Sequence, residues 1–156
     1  MNDADAIDAF DRKILTLLQE DASLSSAEIG ERVGLSQSPA SRRMARLRAS
    51  GHIRKTVALL DRRRIGLNTL IFAQVKLSAH GREHLEDFTS AIAAFPEVLD
   101  CYVLMGPVDF LLRIVARDVE AYERFFFEKL SRVPGIQEVN STVALSEIKS
   151  TTALPV

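Results

Sequence analysis

The sequence has little of what disulfide bonding, membrane insertion or catalysis requires. It holds one cysteine, Cys101, so an intrachain disulfide is excluded and we expect a reducing, cytoplasmic setting. No apolar run reaches the roughly 20 residues that span a bilayer, and the acidic first residues lack the basic and apolar parts of a signal peptide. Because it also lacks a glycine-rich phosphate loop and a nucleophile motif, we expect no cofactor and no catalytic residue.

Histidine is scarce as well. His52, His80 and His84 are the three histidines, and the last two have the i,i+4 spacing of a metal-binding pair on a helix. We interpret them as polar residues at a solvated helix start, and we expect no metal site.

Positive charge is concentrated in one segment, although the whole chain has a net charge of −1. Residues 37–64 hold nine arginine or lysine residues and one acid, Asp61. Residues 1–66 together carry a charge of +3, and residues 67–156 carry −4. Neutralising phosphates is the commonest use of such a local concentration, so the segment predicts binding to nucleic acid.

Two short helices joined by a tight turn are predicted between residues 25 and 51. Ser25 and Glu28 have the spacing of a capping box, and Gly34 is placed to end the first helix in a left-handed conformation. Ser36 is expected to cap the second helix, with Pro39 in its first turn, where a missing N–H costs nothing.

An earlier helix completes a three-helix unit with its own small core. Asp8 or Asp11 is expected to cap it, and it ends near residues 19–21. Its apolar residues at helical spacing are Phe10, Ile14, Leu17 and Leu18.

The second helix of the predicted pair has one face suited to DNA. A helical wheel places Ala40, Met44 and Leu47 inside, and small residues with arginines, without any acid, outside. Arginine binds guanine or phosphate, and small residues allow a close approach to the major groove. An ordinary amphipathic hairpin is the alternative, which the local charge disfavours. The outer face comprises Ser38, Ser41, Arg42, Ala45 and Arg46. The predicted DNA-binding residues are Ser36, Gln37, Ser38, Ser41, Arg42, Arg43, Arg46, Arg54 and Lys55.

The segment after this helix divides the chain. Residues 52–60 are rich in β-branched and aliphatic residues, which predicts a wing-like or connecting strand. The charged run 61–64, followed by Gly66, indicates a linker. We therefore predict a DNA-binding domain over 1–60, a linker over 61–67 and a second domain over 68–156.

The second domain has the predicted order βαββαβ, a ferredoxin-like plan that makes the whole chain α+β. Strands are expected at 68–78, 98–105, 108–117 and 136 to about 148, with helices before Pro96 and from Asp118 to Pro134. The second helix carries Val119, Tyr122, Phe126 and Leu130 at helical spacing. Two helices cover one sheet face only, so we expect the other, which still carries Val, Leu and Phe, to pack against another copy of the chain.

The motifs together resemble the Lrp/AsnC (feast/famine) family of transcription regulators over nearly the whole chain. In the first half they are D-x-x-D at 8–11, I-L-x-x-L-Q-x-D at 14–21, V-G-L-S at 33–36, S-P at 38–39, R-M-x-x-L at 43–47 and G-x-I at 51–53. In the second half they are G-x-x-D-F-L-L at 106–112, V-P-G-I at 133–136 and I-K-S-T-T-A-L-P at 148–155. The resemblance implies a helix-turn-helix domain, a ligand-sensing domain, and a homodimer that assembles further, up to an octamer, with amino acids bound between subunits.

The loop at 106–109 is similar to the effector-binding loop of that family, although Val108 stands where members often have an aromatic residue. It lies between two strands predicted to be central. An amino-acid ligand needs an acceptor for its ammonium, which Asp109 can supply, and donors for its carboxylate. Backbone N–H groups around Gly106, or hydroxyls in the last strand, are candidate donors. Asp109 as a turn residue capping its own loop is the equal alternative. The predicted effector-binding residues are Gly106, Val108, Asp109, Ser141 and Thr142.

These observations favour a sequence-specific DNA-binding transcription regulator whose DNA binding or assembly responds to a small amino acid. Two alternatives stay open. One is a related enzyme acting on a tetrapyrrole, which requires histidines or arginines in the sheet cavity. The other is a sensing module that assembles without DNA, which the arginines of residues 42–48 disfavour.

Overall fold

Residues 6–78 and 85–156 are described by the computed structural model, so His80 and His84 and their predicted environment lie outside the described residues. Contacts divide the chain into two units, one reaching to Leu59 and including Lys149–Val156, the other spanning Leu60–Ile148. The tail therefore groups with the first unit, whereas the division drawn from the sequence placed it in the second. No helix of the described ranges is both long and apolar enough to cross a membrane.

The first unit contains α1 (Ala9–Glu20), α2 (Ser26–Val33) and α3 (Gln37–Ala49). Capping boxes close the N-termini of α1, through Asp8 and Asp11, and of α2, through Ser25 and Glu28. Gly34 ends α2 with a left-handed φ of 79°. These predictions are confirmed.

Ser36 occupies the N-cap position of α3, but its side chain makes no capping hydrogen bond, so the expected cap is wrong in its chemistry. An N-cap oxygen accepts from the second or third helical N–H. The third helical residue is Pro39, which has no N–H to donate.

The core of the first unit joins all three helices. Ile14 and Ile29 are fully buried, and Met44 and Leu47 of α3 pack on the same cluster. The face predicted for α1 is partly wrong, because Phe10 is 38% exposed while Asp11 and Leu15 are buried. Alpha-1 is thus turned so that a carboxylate faces α3. The expected burial of Ala40, Met44 and Leu47 is confirmed.

The strand predicted for residues 52–60 is wrong. Ile53 packs on the helical core and donates its backbone N–H to Leu47 O at 3.0 Å. From Arg54 to Leu60 the side chains are exposed and the backbone joins no strand of the described residues. Apolar composition alone does not make a strand, because a strand requires a partner for its backbone groups.

The second unit holds the four-stranded antiparallel sheet that the sequence predicts, in the spatial order β2-β3-β1-β4. The strands are β1 (Thr69–Leu77), β2 (Val98–Val103), β3 (Phe110–Ala116) and β4 (Ile136–Val143), and the helices are α4 (Leu85–Ala93) and α5 (Val119–Glu128), with a 3-10 turn at Leu130–Arg132. Every strand is shorter than predicted. Because β2 lies at the sheet edge, the loop at 104–109 joins an edge strand to a central one and not two central strands.

One sheet face is covered by the helices. The expected alternation of β1 is confirmed, since Ile71, Ala73 and Val75 are fully buried against Phe88 of α4. The buried residues of α5 are Tyr122 and Phe125, whereas Phe126, which the periodicity placed inside, is half-buried.

The opposite face, called the open face below, carries side chains from all four strands. Phe72 lies opposite Arg113 on β3 and Thr142 on β4, and Tyr102 on β2 lies opposite Leu111. Phe72 and Tyr102 remain 37% and 53% exposed, so the open face keeps aromatic surface in contact with solvent.

Candidate functional site

The backbone of α2 closely approaches the turn that joins it to α3. Leu35 donates its backbone N–H to Gly30 O at 2.8 Å. A Cβ added at Gly30 would lie 2.7 Å from Leu35 O, too close for any side chain. Only glycine therefore fits this position in the present backbone. We did not single out Gly30 from the sequence, although a glycine inside a predicted helix was an available signal.

The exposed face of α3 is small and basic. Ser38, Ser41, Arg42 and Ala45 are all exposed, as the helical wheel predicts. No acid occurs on this helix, and Arg42 makes no ion pair with a carboxylate of the described residues. A face with these properties can approach a polyanion closely.

The N-terminus of α3 is open. The first backbone N–H groups of any helix have no partner within the helix, and Ser36 supplies none. The first turn of α3 also lacks an acid, whereas α1 has Asp11 and α2 has Glu28 there. No acid of the first turn therefore offsets the positive end of the dipole of this helix.

Arg43 and Arg46, both predicted to bind DNA, are held by α1 in a way that the sequence analysis missed. Arg43 Nη1 donates to Asp8 Oδ2 at 2.6 Å and to Asp11 Oδ1 at 2.9 Å, while Arg46 Nη2 donates to Asp11 Oδ2. The Arg43 guanidinium also lies 5.4 Å from the centre of the Phe10 ring. Sequence spacing could not reveal these contacts, since they join residues 32 to 35 positions apart.

Burial by itself would raise the pKa of Asp11, but the Arg46 guanidinium, the backbone N–H of Asp8 and the Arg43 guanidinium together lower it to about 2. The pKa of Asp8 is also lowered, by the backbone N–H of Asp11 and by Arg43. The two aspartates raise the pKa of Arg43 in turn. All three groups are therefore charged at neutral pH. Together with Pro39, Arg42 and Arg46, Asp8 and Arg43 line an open hollow of about 510 Å³.

The rest of the basic segment divides into exposed and engaged side chains. Arg54 and Lys55 are exposed on the segment that follows α3. In the second unit, Arg62 Nη1 donates to the carbonyls of Leu67 and Asn68 at 3.0 Å each, so it closes a turn.

Asp109 holds the sheet together at the loop after β2. Its carboxylate accepts the backbone N–H of Leu77 at 2.8 Å, and its own N–H donates to Val75 O at 2.9 Å. The carboxylate thus accepts a hydrogen bond from the end of β1, a contact that neither interpretation of the sequence includes. Gly106 is exposed, and Val108 and Asp109 are half-buried.

Ser141 and Thr142 do not join Asp109 in one pocket of a single chain. They are consecutive on β4, so their side chains point to opposite sheet faces. Ser141 faces the helices, where its hydroxyl hydrogen-bonds that of Tyr122 beside a groove of about 310 Å³. Beta-4 and Asp109 also lie on opposite sides of β1, roughly 10 Å apart at two strand spacings.

Within residues 6–78 and 85–156, no group of three or more His, Cys, Asp or Glu side chains is arranged to hold a metal ion. Cys101 is an exposed residue, and partial burial of its thiol raises the pKa, which lowers the thiolate fraction at neutral pH.

Two family models match separate parts of the chain. The AsnC-type helix-turn-helix domain matches residues 7–48, and the Lrp/AsnC ligand binding domain matches residues 70–154. The HTH-type transcriptional regulator Zrp of Zymomonas mobilis is 42% identical over 149 residues, which cover 96% of this chain and 97% of Zrp. The transcriptional activator DecR of Escherichia coli is 37% identical, covering 96% of this chain and 99% of DecR.

Solved structures agree with this match. The complex of a Neisseria meningitidis transcriptional regulator with L-Met superimposes with a TM-score of 0.92 at 37% identity, covering 96% of this chain and 97% of that one. An AsnC family regulator from Agrobacterium tumefaciens gives a TM-score of 0.91 at 39% identity, with the same coverage.

Proposed function

This chain belongs to the Lrp/AsnC family of transcription regulators, and from that premise we propose that it reads DNA with the N-terminal half of α3 and responds to an amino acid held by its sheet domain. The chain is a DNA-binding regulator with a ligand-binding domain. Which residues carry out each task is our proposal.

The observation that carries the DNA-binding part is the acid-free exposed face of α3 with its open N-terminus. The face offers hydroxyls and Arg42 to base edges, and the open N-terminus offers backbone N–H groups to a phosphate. Ser36, Gln37 and Ser38 lie at that terminus. Exposed Arg54 and Lys55 add phosphate contacts that carry no sequence information.

Arg42→Ala tests this assignment. The DNA is an operator fragment that the wild-type protein has selected from a random pool. If Arg42 contacts a base, its loss should cost about 1–3 kcal/mol of binding free energy. Fluorescence anisotropy at fixed salt measures the affinity. Arg12→Ala removes one exposed positive charge from α1 and serves as the control. Equal affinities for wild type and Arg42→Ala would remove this face from the interface.

For the effector, we propose a site at the loop after β2 that a second chain completes. The L-Met complex of a relative with the same fold supports an amino acid as ligand. The separation of Asp109 from Ser141 and Thr142 within one chain supports a shared site between chains. Calorimetric titration of the twenty amino acids into wild type and Asp109→Asn tests it, because asparagine keeps an acceptor for Leu77 N–H but loses the charge. Equal binding to both proteins would place the pocket elsewhere.

Assembly follows from exposed apolar surface. Phe72 and Tyr102 on the open face, and Met105 at the adjacent loop, are large apolar side chains that are exposed in a single chain, and exposed apolar patches are typical of interaction surfaces. We propose a homodimer through the open face, able to assemble further. Phe72→Glu should shift the mass measured by light scattering toward the monomer. Phe127→Glu, on the exposed side of α5, should leave the mass unchanged.

We propose no catalytic role. The relatives reported above are transcription regulators, and the arginine of the open face, Arg113, is already paired with Asp100. A regulator of this kind acts where the DNA is, so we place the protein in the cytoplasm.

A further inference from the structure

Asp11 is the one charged side chain that is buried among residues 6–78 and 85–156, and it faces the DNA-reading helix. Asp11 belongs to the capping box of α1, because its carboxylate accepts the backbone N–H of Asp8 at 3.1 Å. The same carboxylate then accepts from Arg43 and Arg46 of α3. A helix cap needs only the first of these contacts, so the other two call for a separate explanation.

We propose that Asp11 is a positioning residue for DNA recognition, which holds the Arg46 guanidinium so that this arginine meets base edges instead of phosphates. The proposal rests on the function proposed above, in which α3 reads DNA.

Hydrogen bonds within the first turn of α1 hold the Asp11 carboxylate in place. Asp8 Oδ1 accepts the backbone N–H of Phe10 and of Asp11, each at 2.9 Å. Asp11 Oδ2 in turn accepts the backbone N–H of Asp8. The first turn of α1 is therefore closed, and Asp11 has little freedom to follow a moving partner. A fixed carboxylate gives each guanidinium a fixed orientation, because the guanidinium is planar with donors in a rigid fork.

Arg46 keeps donors for a ligand. Among the described residues its one hydrogen bond uses Nη2, and 43% of the side chain is exposed. A guanidinium carries five N–H donors, so most of them stay available. An unrestrained arginine can bind whichever phosphate comes near. An anchored arginine binds well only to an acceptor in one position, and recognition of a base sequence requires this.

The arginines of α3 differ in whether a carboxylate balances their charge. Arg43 and Arg46 are matched by Asp8 and Asp11, so this four-residue cluster is neutral as a whole. A pre-neutralised arginine contributes little to counterion release, the source of non-specific affinity. Arg42 and Arg48 have no such carboxylate partner in the described part of the chain, and they keep their full charge for DNA.

A purely structural role makes a different prediction. If the ion pairs only fasten α3 to α1, losing them lowers stability and weakens binding to every DNA by a similar factor. If they position Arg46, losing them weakens operator binding, strengthens non-specific binding and steepens the salt dependence. The ratio of the two affinities separates these roles.

Asp11→Asn in the full-length protein is the test, with Asp8→Asn as matched control. Both remove one negative charge from the same cluster. Asparagine is as good an N-cap as aspartate at position 8, and at position 11, the third helical residue, its side-chain oxygen can still accept the backbone N–H of Asp8. Asp8→Asn leaves the Arg46 anchor intact. We expect the ratio of operator to random-sequence affinity to fall by roughly tenfold or more in Asp11→Asn, as for a lost base contact, and to stay near wild type in Asp8→Asn. Equal ratios in the two variants would overturn the proposal.

Arg46→Ala decides the matter if Asp11→Asn does not fold, because Arg43 still pairs with Asp11 in that variant. We expect lower operator affinity with an unchanged slope of log affinity against log salt. A fall of that slope by about 1 would mark Arg46 as a phosphate contact and overturn the proposal. Arg48→Ala removes the same charge from the same helix as the control. A wild type that bound operator and random DNA equally would instead refute the proposed function itself.

Discussion

The three helices of the first unit begin in two different ways. Alpha-1 and α2 are closed at their N-termini by reciprocal side-chain hydrogen bonds, through Asp8 with Asp11 and Ser25 with Glu28. Alpha-3 has a serine in the same position, no capping bond and no acid in its first turn. Side chains accept some of the first backbone N–H groups of α1 and α2, whereas no side chain of the cap accepts from those of α3.

The difference shows where the stability of α3 comes from. A short helix gains most of its stability from packing and little from its own hydrogen bonds. Alpha-3 buries Ala40, Met44 and Leu47 and is tied to α1 through Arg43 and Arg46. Its terminus is therefore free to serve a ligand. The comparison can be tested by closing the open terminus, by releasing the tie to α1 and by opening a closed terminus.

Closing the open terminus should have the largest effect. Gln37→Glu places an acid in the first turn of α3, where it favours the helix by about 0.3–1 kcal/mol. The same charge repels a phosphate at that site, so we expect operator affinity to fall by roughly tenfold or more, on the order of 1–3 kcal/mol. Anisotropy measures the affinity and thermal unfolding the stability.

Ala27→Glu is the matched control, since it adds an acid to the exposed first turn of α2. Stability should respond as in Gln37→Glu, while operator affinity should change far less. Similar affinities for the two variants would show that the open terminus of α3 does not meet DNA.

Releasing the tie between α1 and α3 should have the next largest effect, measured on stability. The pKa of Asp11 is lowered to about 2 from an ordinary value of 3.8. A lowered carboxyl pKa stabilises the fold above the unfolded value, and this stabilisation is lost as pH falls through the folded one. We therefore expect the free energy of unfolding of the wild type to exceed that of Asp11→Asn by about 2 kcal/mol at neutral pH, from the pKa difference alone.

That advantage should shrink as the pH falls from about 4 to 2. Urea unfolding of both proteins across this range measures it. The pKa values of Asp8, Glu28 and Asp118 are lowered too, but those groups are common to both proteins. An advantage that stayed constant down to pH 2 would mean that folding does not lower the pKa of Asp11.

Opening a closed terminus should have the smallest effect. Ser25→Ala removes the hydrogen bond that Ser25 Oγ accepts from Glu28 N–H and the one that it donates to Glu28 Oε2, and should cost about 1 kcal/mol of unfolding free energy. Ser36→Ala removes a side chain that caps nothing, so its cost should be close to zero. Chemical denaturation of the two variants compares them directly, and equal losses would contradict the distinction between closed and open helices.

Local patterns were enough to predict most of the architecture. The capping box at Ser25, the left-handed Gly34 and the buried residues of α3 each depend on neighbours within a turn of helix. The alternation in β1 is likewise local, because successive strand residues point to opposite faces. The order βαββαβ then follows from the sequence of elements, and the sheet confirms it.

Contacts between distant residues decided the rest. Periodicity put Arg46 on the outer face, but only the packing of α1 on α3 shows that Asp11 binds it. Apolar composition predicted a strand at 52–60, which the fold leaves without a partner. The sequence favours Asp109 equally as a ligand contact or as a turn residue, and in the structure its carboxylate accepts the backbone N–H of Leu77 on a neighbouring strand.

The sequence by itself determined the helices, the strands, their order and the concentration of charge, because each of these depends on residues a few positions apart. Only the tertiary structure decided which arginines are anchored and which hydroxyl of β4 faces the helices. Those outcomes depend on which elements meet and on how each is rotated when it packs, and the burial of Asp11 in place of Phe10 shows that a rotation within one helix is enough to change them.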